Sequence, residues 1–111
     1  MKLQQFEKKF LKSEMYNYKS NKKLLEELES ELKVDNFKIE TRTLLILAER
    51  VEKVEKVLLQ LSKEDAENVE LIFFKGHTQI YAEVNDYISK QTYYSTINKI
   101  LLMLAKEYNL I

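Results

Sequence analysis

His77 is the only imidazole in the sequence and directly follows the only glycine, Gly76. Catalysis at a histidine needs an oriented partner and a nucleophile; His77 reads instead as a solvent-facing turn residue or a helix-end cap. The adjacent carboxylates Glu64-Asp65 and Glu26-Glu27 could share acid and base roles, but on helices such pairs are ordinary surface charges. One glycine cannot build a phosphate-cradling loop. With no cysteine and a single histidine, neither a disulfide framework nor the usual zinc ligand sets can be assembled. The seven tyrosines suggest base stacking on a single strand. Tyr81, Tyr87, Tyr93 and Tyr108, however, fall where a helical bundle has its interior, while Tyr16 and Tyr18 lie in a helix-breaking interval. The expectation is a protein that is not an enzyme and uses no cofactor or metal.

The elements that carry these residues follow from composition and periodicity. A chain of 111 residues allows one domain, or a small domain with a helical extension. Hydrophobic residues at 45% supply a core and charged residues at 32% solvate a surface, so intrinsic disorder is not expected. The chain has no proline and one glycine, which removes the residues of tight hairpin turns and helix breaks. An all-α fold follows.

Leu3, Phe6 and Phe10, then Leu24, Leu25, Leu28 and Leu32, are spaced by three and four and give the first segment one apolar face. Between them, from Ser13 to Tyr18, the stripe loses phase, which means either a bend between two helices or a change of packing partner. Val34-Asp35-Asn36-Phe37 is the best helix stop before residue 60, because Asp and Asn favour caps and turns. Leu44, Leu47, Val51, Val54, Leu58 and Leu61 then step by 3, 4, 3, 4 and 3, an a/d seam with charged residues between. Such a seam needs a partner. Two remain open: the 24–32 segment of the same chain, forming an antiparallel hairpin, or a second subunit, with Leu44, Leu47, Val51, Val54 and Leu58 as the dimer or partner interface.

Beyond Leu61 the caps are clearer. Ser62 is an N-cap with Glu64 and Asp65 in the first turn, and Val69, Leu71, Ile72 and Phe73 follow until Gly76, a typical residue just past a helix end. Thr78 caps a second helix bearing Tyr81, Ala82 and Val84. Ser89 caps a third, with Tyr93, Ile97, Ile100, Leu101, Leu104 and Tyr108 on one side. The expected architecture is an amino-terminal helical hairpin or coiled-coil extension over residues 1–60 and a three-helix unit over residues 61–111.

The run Leu61-Ser62, then Gly76, then Ile88-Ser89-Lys90-Gln91-Thr92 resembles region four of bacterial sigma factors in both residue type and spacing. With the following Tyr93-Tyr94-Ser95, and Leu104-Ala105 near the end, the chain is similar to phage late-transcription regulators of the ArpU and RinA type; over residues 1–60 the likeness is one of length and helical character. The resemblance implies a helix-turn-helix in which Thr78 to Tyr87 crosses the DNA backbone and the helix from Ser89 enters the major groove. Tyr93, Ile97 and Leu101 would then be core. Gln91, Tyr94, Ser95 and Asn98 would face DNA, flanked by Lys90, Thr92 and Lys99, since Gln and Asn suit bidentate pairing with adenine and hydroxyls reach phosphate or base.

The implied partners are double-stranded DNA and RNA polymerase or another transcription regulator, in a homodimer. Charge complicates this. Lys plus Arg and Asp plus Glu are balanced at 18 each, and residues 89–111 carry only Lys90, Lys99 and Lys106 as cations, whereas phosphate neutralisation favours a basic surplus. Either a dimer or polymerase supplies a second tether, or the fold is turned to sequestering another regulator. The amino terminus MKLQQFEKKFLKSE lacks a signal-peptide core, and no apolar run approaches the roughly 20 residues of a membrane span. The expected location is the cytoplasm of a bacterial host.

Overall fold

The structure, a computed structural model, describes residues 2–35 and 41–111, with backbone alone for residues 32–35 and 41. It is helical throughout: α1 (Gln5–Tyr16), α2 (Tyr18–Asp35), α3 (Thr41–Leu59), α4 (Lys63–Val69), α5 (Gln79–Asn85) and α6 (Lys90–Glu107). Glu70–Phe74 continue α4 as a π-helical turn. Among the described residues there is no strand, and no helix is long and apolar enough to cross a membrane. Of the expected stop, Asn36 and Phe37 lie outside the described residues.

The interval from Ser13 to Tyr18 combines both readings left open by the sequence. The helix is interrupted at Asn17, whose N–H donates to the Ser13 carbonyl at 2.9 Å and whose amide donates to Ser13 Oγ at 3.2 Å. The packing partner also changes there, since α1 lies against α6 and the π turn while α2 lies chiefly against α3. Phe6 and Phe10 are not core, being 75% and 43% exposed. The cause is phase: Leu3 precedes the helix, so it sets no register for α1. The buried positions are Leu11, Glu14, Met15 and Tyr18, one step of about 100° around from Phe10.

On α3 the seam is buried, but inside the chain. Leu47, Val51 and Val54 are covered, joined by Val57 in the last turn, with Leu44 and Leu58 half-buried. The covering elements are α2 and α6 of the same chain, so the intrachain hairpin is the partner found. The expected dimer seam is corrected accordingly, because burying these side chains internally already removes them from water. The core draws on the whole length, from Leu3 to Ala105, in a single cluster; residues 1–60 and 61–111 share it. On α6 Tyr93, Ile97, Ile100, Leu101 and Leu104 are buried as the spacing predicts, Thr96 and Ala105 join them, and Tyr108 is half-buried.

One polar cluster ties three helices. Glu14, only 2% exposed, accepts from Arg50 Nη2 at 2.7 Å and Nε at 3.1 Å and from the Tyr108 hydroxyl at 3.0 Å. The forked guanidinium matches the carboxylate geometry, so the buried acid is satisfied. Burial, reinforced by Glu14, pushes the Tyr108 phenol far above its ordinary value of 10.0.

Candidate nucleic-acid interface

The α5-turn-α6 unit is assembled from short-range interactions that the sequence encodes. Thr78 Oγ1 accepts from the Tyr81 N–H at 3.3 Å and starts α5. Ser89 Oγ accepts from the Thr92 N–H at 3.1 Å and donates to Thr92 Oγ1 at 3.0 Å, starting α6. Ser62 does the same for α4 through the Asp65 N–H at 3.1 Å. Each cap satisfies a helix-terminal donor that has no intrahelical partner. Between α5 and α6 the chain reverses at Tyr87, φ 57°, with the Ile88 N–H donating back to the Ala82 carbonyl at 3.1 Å. Ile88 then points into the core, which fixes the angle at which α6 departs.

His77 sets the other side of this unit. Its Nδ1 donates to Asp86 Oδ2 at 2.7 Å, its ring lies 4.5 Å from that of Tyr81, and its carbonyl accepts from the Tyr93 hydroxyl at 2.7 Å. The residue is half-buried, so the solvent-facing reading is corrected: the turn after Gly76 folds the ring onto both ends of α5. Gly76 itself stands at φ 67°, a conformation glycine adopts without steric cost, and the His77 N–H closes the turn on the Leu71 carbonyl at 3.0 Å.

With its inner face anchored, α6 presents a continuous outer stripe. Lys90, Gln91, Tyr94, Ser95, Asn98, Lys99 and Leu102 are exposed and Thr92 is half-buried. Their roles separate on inspection. Thr92 is occupied in the cap, and the Ser95 hydroxyl donates to the Thr92 carbonyl at 3.2 Å, leaving its oxygen free to accept. Tyr94 stands edge-on to Tyr93, with centroids 5.3 Å apart, which orients its outward ring. The Gln91 and Asn98 amides have no hydrogen-bond partner among the described residues and keep both donor and acceptor available. Lys99, however, forms an ion pair with Asp65 on α4, so of the two flanking lysines only Lys90 is unengaged among the described residues.

Two neighbouring features were not visible in the sequence. Lys2, Leu3 and Lys8 line an open cleft together with Asn98, Leu101 and Leu102, bringing cations from the amino terminus beside the later turns of α6. No local spacing relates these segments; only the packing of α1 on α6 does. On the other side, α5 buries Ala82 alone, and Ile80, Val84 and Tyr87 are 73%, 66% and 91% exposed. The expectation that Tyr81 and Tyr87 are interior fails: a seven-residue helix packed chiefly on α6 hides only one narrow face, and Tyr87 lies in the turn beyond it. Among the described residues no group of His, Asp and Glu side chains could hold a metal ion.

Compared with protein-family models, with curated proteins and with solved structures, the chain finds no match.

Proposed function

We propose that this chain is a transcription regulator of the phage type, acting in the cytoplasm of a bacterial host, which binds double-stranded DNA with α6 in the major groove. The observation that carries the reading is the outer face of α6, where Gln91, Tyr94, Ser95 and Asn98 are exposed side by side on a helix whose entry is held by a capped, left-handed turn. Free side-chain amides are the groups that pair bidentately with adenine. The α5 helix would cross the backbone. Its outward Ile80 and Val84, with Tyr87 in the turn that follows, suit a protein surface better than phosphate, and RNA polymerase or another regulator is the partner proposed there. A palindromic operator would call for a homodimer. With Val51 and Val54 inside the core, a surface open to it is the hairpin groove that Leu24, Leu28, Ile46 and Leu47 line.

Selection of bound duplexes from a random library by the full chain tests the reading, and recovery of a defined short sequence is the expected result. One observation favours a second reading, the exposed Ile80 and Val84 on α5: a module that captures another regulator and binds no DNA. Recovery of no sequence, at low as well as moderate salt, would leave that alternative.

A further inference from the structure

We infer that Lys2 and Lys8, two cations outside the helix-turn-helix, form a phosphate-contacting arm of the same DNA site. This rests on the DNA reading above and adds to it groups that supply electrostatic attraction, which the outer stripe of α6 offers through Lys90 alone once Lys99 is paired with Asp65.

Among the described residues, Lys19, Lys22, Arg50, Lys53, Lys56 and Lys99 are held by Glu70, Glu55, Glu14, Glu49, Glu52 and Asp65, and their charge is largely compensated in place. Lys2, Lys8, Lys9 and Lys12 have no acidic partner among the described residues, as is also true of scattered cations such as Lys23, Lys63 and Lys75, but these four are gathered on one segment. Lys8 and Lys12 share a face of α1 at a spacing of four, and Lys8, Lys9 and Lys12 line one surface hollow. Glu7, the acid on this stretch, already accepts from the Gln4 N–H at 2.8 Å. The amino-terminal segment is therefore locally basic in a chain of zero net charge.

Its position gives that charge a use. Packing of α1 on α6 sets Lys2 and Lys8 on the rim of a cleft whose other wall is Asn98 and Leu102, and among the described residues no carboxylate lines it. Asn98 is at once the last amide of the base-facing stripe and a wall of this cleft. From Gln91 to Leu102 the helix rises about 16 Å, somewhat more than the roughly 12 Å width of the major groove. When the turns of α6 from Gln91 to Asn98 lie between the strands, a rise of about 10 Å, the next turn at Leu102 reaches the groove edge, where the phosphates are. Lysines beside those turns meet a backbone and not a base. Their contribution is thus independent of sequence, and it is made through release of counterions from the phosphates.

The test measures binding of the full chain to a duplex recovered by selection and to its scrambled version, across a salt series. The variants are K2A/K8A, the charge-keeping K2R/K8R, and K23A, whose lysine lies on α2 away from the cleft. Two lost phosphate contacts should lower the slope of log affinity against log salt by about 2, so that between 50 and 200 mM salt wild type loses about tenfold more affinity than K2A/K8A. Both duplexes should weaken alike, K2R/K8R should keep the wild-type slope, and K23A should not differ from wild type. Binding by wild type with an unchanged slope in K2A/K8A would overturn the arm while leaving the DNA reading intact. Failure of wild type to bind either duplex at low salt would remove both. Neither lysine is held by an acidic partner among the described residues, and thermal melts of K2A/K8A matching wild type exclude misfolding as the cause.

Discussion

Glu14 shows what a single residue contributes and why it was hard to see. Its position among Leu11, Met15 and Tyr18 gives it the inward phase of α1, yet a charged residue in an apolar stripe reads as a break in the pattern, not as a member of it. The compensating Arg50 lies on another helix, at a distance that no local spacing reports. Removing one partner leaves the other uncompensated. Arg50→Met should therefore destabilise by about 2 to 3 kcal/mol, below the roughly 3 to 5 kcal/mol of fully buried pairs because the arginine is 39% exposed. Glu14→Leu combined with Arg50→Met should recover much of that loss, and a double-mutant cycle by chemical denaturation measures the coupling. Strictly additive losses would mean that the cluster is incidental. Gly76 poses the reverse question, since nothing lies within 4 Å of a Cβ added there. Gly76→Ala should cost about 1 kcal/mol through backbone conformation alone, whereas Tyr87→Gly, at a similar φ of 57°, should be neutral to stabilising.

Protonation acts through the same side chains. The hydrogen bond from Lys22, at 3.0 Å, holds the Glu55 carboxyl below its ordinary value of 4.5, against a smaller opposing effect of burial. A depressed folded value contributes stability above the unfolded pKa and loses it as pH falls through the folded one, so this interaction fades below about pH 4.5. Glu55→Gln should flatten the acid limb of a pH–stability curve. Tyr108 and Tyr18 are shifted the other way, upward from 10.0, chiefly by burial. Their contribution is complete below pH 10 and declines above it, as the unfolded chain ionises first. Tyr108→Phe should reduce that alkaline loss.

The helices themselves were legible wherever a cap and an apolar stripe agreed. Ser62, Thr78 and Ser89 each accept the N–H three residues on, and Tyr93, Ile97, Leu101 and Leu104 are all buried on α6. Ser89→Ala should cost about 1 kcal/mol. Ile97→Ala or Leu101→Ala should cost about 2 to 5 kcal/mol as large-to-small core changes, while Gln91→Ala should leave the melting temperature nearly unchanged. The opposite order in thermal melts would mean that the wrong face of α6 has been assigned to the core. Legibility failed for α1 and α5. Phe6 and Phe10 have the spacing of a core stripe but not its phase, because the helix begins after Leu3. Ile80, Val84 and Tyr87 are apolar for a reason that the folded chain alone does not supply.

As a whole the molecule is longer than a sphere of its size, 50 × 33 × 23 Å with a radius of gyration of 15.9 Å, against about 13 Å for a compact domain of this length. Elongation follows from α2 and α3, which pack on each other as a two-helix layer, while α6 sits among α1, α3, α4 and α5. The arrangement sets three surfaces apart: a central helix with one exposed polar stripe, a basic segment beside its later turns, and apolar surface on α5. Sequence periodicity found the stripe but could not find the basic segment, because only tertiary packing joins the two ends of the chain.

The binding preference of wild type and Asn98→Ala for a selected duplex over its scrambled version tests the proposed role of the stripe most directly. If Asn98 reads a base, the alanine variant should bind the selected duplex about 5- to 150-fold more weakly, corresponding to roughly 1 to 3 kcal/mol for one bidentate contact. Its binding to the scrambled duplex and its salt slope should stay at the wild-type level. Equal weakening on both duplexes, or no preference in the wild type, would contradict base readout by α6.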